Sequence, residues 1–265
     1  MHTLSHISKL SFMAILLAGL GIFSPHCVYS ANPEPIKPYL KDTDFIRVGL
    51  TKNGLQDWSY NQIDVSSASD FGFWDLAQQR WVTIPARVVL RISRQPNGTF
   101  QLLWQPPSQP VMQVELNQGT QIKSLTGDRL VLPSVKKQGK MPEYRGLFEL
   151  TADPLKSDKF TLVNVLTLQD YLKGVVPNEL GYSFGVEAVK TQAILARNYA
   201  IHPREKASEL FDICDTEFCQ AYYGANTEDE RVNALLEQTT DIVALYQGTP
   251  ILALYSSTHG GISED

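Results

Sequence analysis

The chain has 265 residues, of which 43% are hydrophobic and 19% charged, with a formal net charge of −5. That length is enough to bury a full core, and that composition excludes global disorder. An acidic balance with no run of Lys or Arg lacks the basic face that a nucleic acid or an anionic membrane surface needs, so neither is an expected partner.

Residues 1–30 read as an export signal peptide rather than as fold. His2, His6 and Lys9 form a weakly basic start, Leu10 to Phe23 is apolar, and Val28-Tyr29-Ser30-Ala31 offers small residues for cleavage after Ser30. The apolar run is short for crossing a bilayer, so no membrane span is expected after cleavage and the protein reads as secreted or periplasmic. A retained signal anchor is the alternative. Cys27 follows Ser-Pro-His, a poor lipidation context. Cleavage removes His2, His6, His26 and Cys27, leaving His202, His259, Cys214 and Cys219.

Residues 31–43 carry Pro33, Pro35 and Pro38 and form an extended tether. Residues 44–165 are β-rich. Phe45 to Leu50 alternates as a strand does, WVTIPARVVLRIS continues the pattern from Trp81, and Asn97-Gly98 before TFQLLW is a hairpin signal. DRLVLP, Leu147 to Leu150 and Phe160 to Leu166 add further strand-like segments. This part holds no cluster of acids, His or Cys, and packing alone explains it.

From residue 166 to 265 the composition changes to a mixed helix and hairpin region, so the fold class is α+β. YLKGVVPNEL, residues 171–180, reads as an apolar strand-like run broken at Pro177, with the lone acid Glu179 at the junction. Ser183 can cap a helix from about Phe184 to Ile201, whose stripe is Val186, Val189, Ala193, Ala196 and Ala200. Arg197 sits on the border of that stripe. It either reaches an anionic group or snorkels at the helix edge. Residues 231–239 form a second helix, and 242–255 a hairpin around Gln247-Gly248-Thr249-Pro250. The chain then runs out through Ser256, Ser257, Thr258, His259, Gly260 and Gly261, a loop whose glycines suit close approach to a ligand.

Together, LTLQDYLKGVVPNEL, VEAVKTQAILARNYAI, FDICDTEFCQAYYG and ILALYSSTHGGISE resemble, in that order, the catalytic domain of the stage II sporulation protein D / LytB family. IRVGL and YRGLFEL are similar to its upstream β elements, so the resemblance covers residues 44–265 and is strongest over 166–264. It implies action on peptidoglycan: either lytic transglycosylation of glycan strands freed of stem peptides, or enhancement of a cell-wall amidase without catalysis. It implies that Glu179 is the catalytic acid, that Arg197 orients it or holds substrate, and that Ser256, Ser257, His259, Gly260 and Gly261 line the substrate cleft. A chain ending in that loop is expected to be truncated at the C-terminus relative to the family.

The chemistry suits a lone carboxyl group. Lytic transglycosylation uses it first as acid and then as base, whereas an ordinary glycosidase needs two carboxyl groups at a set separation. No second acid lies within four residues of Glu179. Protonating a leaving oxygen near neutral pH requires a carboxyl that still holds its proton, which burial among Val175, Val176, Leu180 and Tyr182 would supply. The plainer reading places Glu179 at a helix N-terminus, favoured by the dipole. No cofactor is required. The resemblance does imply a structural zinc on Cys214, Cys219 and His202, although CDTEFC puts Phe218 where the family often has a histidine. In an oxidising compartment, two cysteines in one short loop equally suggest a Cys214–Cys219 disulfide.

Overall fold

The computed structural model describes residues 45–52, 57–202, 208–247 and 249–256. The expected signal peptide and tether lie outside the described residues. Among those described, no helix is long and apolar enough to cross a membrane.

Alternating burial is clear in QIDVSS and FQLLW, and the sheets are built from short strands. They are β1 (Phe45–Gly49), β2 (Gln62–Ser67), β3 (Phe71–Asp75), β4 (Arg80–Ile84), β5 (Leu90–Arg94), β6 (Phe100–Trp104) and β7 (Met112–Leu116). Then come β8 (Gln121–Ser124), β9 (Leu130–Val131), β10 (Glu143–Tyr144), β11 (Leu147–Ala152), β12 (Phe160–Thr167) and β13 (Ile213–Cys214). One seven-stranded sheet runs β13-β1-β12-β11-β8-β3-β4, and a six-stranded sheet runs β10-β9-β2-β5-β6-β7. Edge-to-face rings join them: Phe100 meets Phe160 at 5.5 Å and Phe73 meets Trp104 at 5.7 Å between centroids.

The hairpin expected at Asn97-Gly98 is present as β5–β6, with Arg94 opposite Phe100 and Gly98 at φ 85°. The run WVTIPARVVLRIS is not one strand. It divides at Pro85 into β4 in one sheet and β5 in the other, because proline cannot donate to a ladder and the chain turns through Arg87 at φ 63°.

Strand β12 is buried on both faces, which accounts for its nearly continuous apolar sequence. Phe160, Leu162 and Leu166 enter the main core, while Val163 and Val165 pack with Leu147, Phe211 and Cys214. Strand β1 pairs antiparallel with β12 and parallel with β13, so the large sheet spans the sequence division at 165/166. The described residues belong to one compact unit, Tyr39–Asp265.

The helices follow β12: α1 (Leu168–Lys173), α2 (Val176–Glu179), α3 (Val186–Ile201) and α4 (Glu230–Gln238). The segment 171–176 is therefore helical and not strand-like. Thr167 caps α1 by accepting the N–H of Asp170 at 3.1 Å, and Tyr171, Leu172, Val175 and Val176 recur at helical spacing on the buried side. Helix α3 begins two residues later than expected. A 3-10 turn, Tyr182–Phe184, precedes it, and the cap position is Gly185 at φ 99° rather than Ser183. The hairpin expected over 242–255 contracts to β14 (Leu245–Tyr246) against β15 (Thr249–Pro250).

Candidate functional site

Glu179 is the last residue of the single turn α2, since Leu180 turns extended at φ −146° and ψ 108°. Seven positions separate it from the start of α3, so a helix N-terminal dipole does not explain the acid. Its carboxyl group is half-buried. The Ala221 N–H donates to Glu179 Oε1 at 2.8 Å. Asn178 Nδ2 donates to the carbonyl of the same Ala221 at 3.4 Å, to the Gly174 carbonyl at 2.7 Å and to Thr227 Oγ1 at 2.9 Å. Two neighbours in the PNEL motif thus hold both polar ends of one residue 42 and 43 positions further on.

The strip that carries Ala221 is itself anchored from beneath. Gln220, 1% exposed, accepts from the Tyr171 hydroxyl at 3.1 Å and donates to Tyr255 Oη at 2.8 Å and to the Ala196 carbonyl at 3.2 Å. The buried Tyr222 hydroxyl donates to Asn164 Oδ1 on β12 at 2.7 Å. Gly174 is required opposite that ring, because a Cβ there would lie 2.6 Å from Tyr222. The backbone beside Glu179 is therefore held by a connected polar network with few free degrees of freedom.

Two phenols feel the Glu179 charge. Burial pushes the Tyr255 hydroxyl well above its usual range; the Gln220 amide opposes this and Glu179 adds to it. Tyr223 is pushed up by partial burial first, then by the Glu217 and Glu179 carboxylates. Glu217 is an acid that the local sequence around Glu179 did not reveal, and the fold brings it to Tyr223. The Tyr199 ring on α3 packs 6.2 Å from that of Tyr255, closing this side of the site.

Arg197 is not at the edge of its helix, and no hydrogen bond or ion pair joins it to Glu179. Only 4% exposed, it donates to the Ile242 carbonyl at 3.1 Å and to Gln169 Oε1 at 3.3 Å. Burial lowers its pKa, and the Asp241 carboxylate opposes that shift. Next to it, Asn198 accepts from the Ala244 N–H at 2.8 Å and donates to the Ala244 and Ile251 carbonyls at 2.7 and 3.3 Å. Together these two side chains pin the 242–251 segment on α3. Snorkelling is excluded because the guanidinium has gone inward to the Ile242 carbonyl and the Gln169 side-chain oxygen.

Cys214 and Cys219 are joined as a disulfide. Between them Asp215 turns inward, where it accepts the Thr51 N–H at 3.0 Å and the Thr51 hydroxyl at 2.9 Å and pairs with Lys137. Phe218 turns outward and is 73% exposed. A zinc site on Cys214, Cys219 and His202 does not fit this arrangement. The two sulfurs satisfy each other, Phe218 brings no donor atom, and no group of three His, Cys, Asp or Glu suited to a metal occurs among the described residues. His202 lies instead at the C-terminal cap of α3, donating its backbone N–H to Asn198 O at 3.0 Å. Of the expected cleft residues, Ser256 is exposed. Ser257, His259, Gly260 and Gly261 lie outside the described residues.

Residues 156–246 match the SpoIID family, described as stage II sporulation protein. A 107-residue segment, 40% of this chain, is 36% identical to an uncharacterized protein of Brachyspira hyodysenteriae, covering 29% of that protein. A 93-residue segment, 35% of this chain, is 39% identical to the amidase enhancer of Bacillus subtilis and covers 12% of its length. The chain therefore spans under a third of each of these relatives. No solved structure matches it.

The sequence singles out Glu179 and Arg197 but not the residues that surround them. Asn178, Gln220, Tyr223 and Tyr255 all lie inside motifs that were already apparent. In PNEL and CQAYYG the acid and the cysteines drew attention, while the amide and phenol side chains carried the contacts.

Proposed function

We propose that this protein works on peptidoglycan glycan strands in the cell envelope, as an exported protein, and cleaves them by lytic transglycosylation at Glu179. The observation that carries this reading is the fixed Glu179 carboxyl group. One oxygen is held by the Ala221 N–H, and among the described residues no donor engages Oε2. A carboxyl fixed in direction through one oxygen suits proton transfer in two opposite senses.

In the first step Oε2–H gives its proton to the glycosidic oxygen as the bond to C1 of N-acetylmuramic acid breaks, and the neighbouring sugar leaves as an alcohol. In the second, the Glu179 carboxylate takes the proton of the C6 hydroxyl as O6 bonds to C1, which closes the 1,6-anhydro ring. Water is not consumed, and the carboxyl returns to its starting state. No cofactor takes part. Arg197 contributes indirectly, through its bond to the Ile242 carbonyl.

A second reading is that the region binds glycan and stimulates a separate cell-wall amidase. The specific observation in its favour is the 39% identity to the Bacillus subtilis amidase enhancer. One experiment separates the two. Peptide-free glycan strands are incubated with wild type and with Glu179→Gln, and the products are analysed by mass spectrometry for 1,6-anhydro ends. Wild type is expected to form them and Glu179→Gln to lose them. If wild type forms none and still sediments with glycan, the enhancer reading replaces the enzymatic one.

A further inference from the structure

Tyr223 has a second neighbourhood, formed with the disulfide loop and residues 136–138. There a pocket of about 350 Å³ opens between residues 136–138 and the disulfide-closed loop, with Thr216, Glu217, Phe218 and Tyr223 in its wall. That volume lies near the lower end of the range for small-molecule sites.

The loop is built to present Phe218. Its inner end is fixed by Asp215, fully buried between Thr51 and Lys137, and its outer end by the bond from Cys219 to Cys214. Phe218 stands between these anchors with its ring in water. A single exposed phenylalanine is ordinary on a protein surface. One held on a covalently closed loop, in a pocket that shares a wall residue with the Glu179 site, is a different situation.

The polar groups indicate what the ring receives. Lys137 and Asp215 spend their charges on each other in the floor, and the exposed Lys136 and Glu217 balance at the rim. The pocket therefore presents no net charge, which disfavours an ionic ligand. Gln138 and Glu217, which also hydrogen-bond the Tyr223 phenol, and Thr216 supply polar groups around an apolar plane. A sugar ring has the complementary form, with hydroxyl and amide groups at its edge and C–H bonds on its face.

We infer that this pocket is a second saccharide subsite, with Phe218 as the platform for an N-acetylhexosamine ring of the same glycan strand that reaches Glu179. The inference rests on the glycan reading above and adds to it the residue that reads the strand beyond the cleavage point. Tyr223 links the two, since it lines the pocket and its phenol feels the Glu179 carboxylate.

The test is binding, measured without turnover. The wild-type chain and full chains carrying Glu179→Gln, alone or combined with Phe218→Ala or Phe218→Trp, are titrated calorimetrically with N-acetylglucosamine oligosaccharides. Phe218→Ala is expected to weaken binding roughly two- to tenfold, the range for loss of one aromatic contact, and Phe218→Trp to restore it. Unfolding midpoints should be unchanged, because the ring is exposed. Equal binding by Phe218→Ala and its parent overturns the subsite and leaves the Glu179 reading standing. If no chain binds oligosaccharide, including one with Glu179 and Phe218 both intact, the subsite and the glycan reading fall together.

Discussion

Glu179 accepts the backbone N–H of Ala221 at 2.8 Å, and Asn178 beside it donates to the Ala221 carbonyl, so one residue of the CQAYYG strip is held at both ends by the PNEL turn. Asn178 also reaches Gly174 and Thr227, and its amide is the hub of the clamp. Asn178→Ala leaves those acceptors without a partner in a partly buried site. It should cost about 1–3 kcal/mol of stability, read as a lower denaturant midpoint at unchanged slope. Glycan cleavage should fall as well, since the fixed direction of Glu179 depends on the same strip. An unchanged midpoint would show that the clamp contributes nothing.

Arg197 offers a test of position against contact. A lysine can carry the charge but cannot reach the Ile242 carbonyl and Gln169 at once with a planar fork. Arg197→Lys should therefore lower stability by about 1–3 kcal/mol. An arginine that held substrate or the Glu179 carboxylate would behave differently, losing activity on substitution at unchanged stability. Paired urea titration and KM measurement distinguish the two outcomes.

The disulfide makes a third prediction, which concerns metal as well. Intact-mass and peptide mapping of the unreduced protein should find Cys214 and Cys219 linked. Their loop is short, so reduction should cost about 2 kcal/mol by the chain-entropy relation. A chelator should leave Tm unchanged. A drop in Tm on chelation, reversed by added zinc, would mean that the sulfurs hold a metal instead of each other.

Much of the fold was legible because local patterning and burial agree. Phe45–Gly49 alternates, Asn97-Gly98 turns, and Val189, Ala193 and Ala196 line up on the buried face of α3. The α1–α2 region misled because Val175-Val176-Pro177 looks like the end of a strand. Only the 3.6-residue spacing of Leu168, Tyr171, Leu172, Val175 and Val176 reveals a helix, and Gly174 interrupts it. Within the site, a lone acid announces itself by type. Its partner is a main-chain N–H, which any non-proline residue possesses, so no residue type at 221 could have signalled it. Glu217 was hidden for a related reason: its nearness to Tyr223 arises from the disulfide loop, not from sequence spacing. Arg197 was visible on the border of its stripe, but its targets are the Ile242 carbonyl, 45 residues away, and the Gln169 side chain, 28 residues away.

The last prediction concerns pH and helix α4. Asp229 caps it by accepting the Arg231 N–H at 2.9 Å, and the Arg231 guanidinium donates to the same carboxylate at 2.6 and 3.0 Å. These bonds hold the Asp229 pKa down at about 2, against an ordinary 3.8. The folded chain thus binds this proton more weakly than the unfolded chain does. The resulting stabilisation is complete above pH 3.8 and is lost as pH falls toward 2. Solvent screening trims the ion pair at this exposed site, so the cap dominates and Asp229→Ala should cost about 1 kcal/mol near neutral pH. Urea midpoints of wild type and Asp229→Ala should differ at pH 6 and converge as the pH falls through that window. A gap that stays constant down to pH 2 would show that the carboxylate charge plays no part in holding the helix.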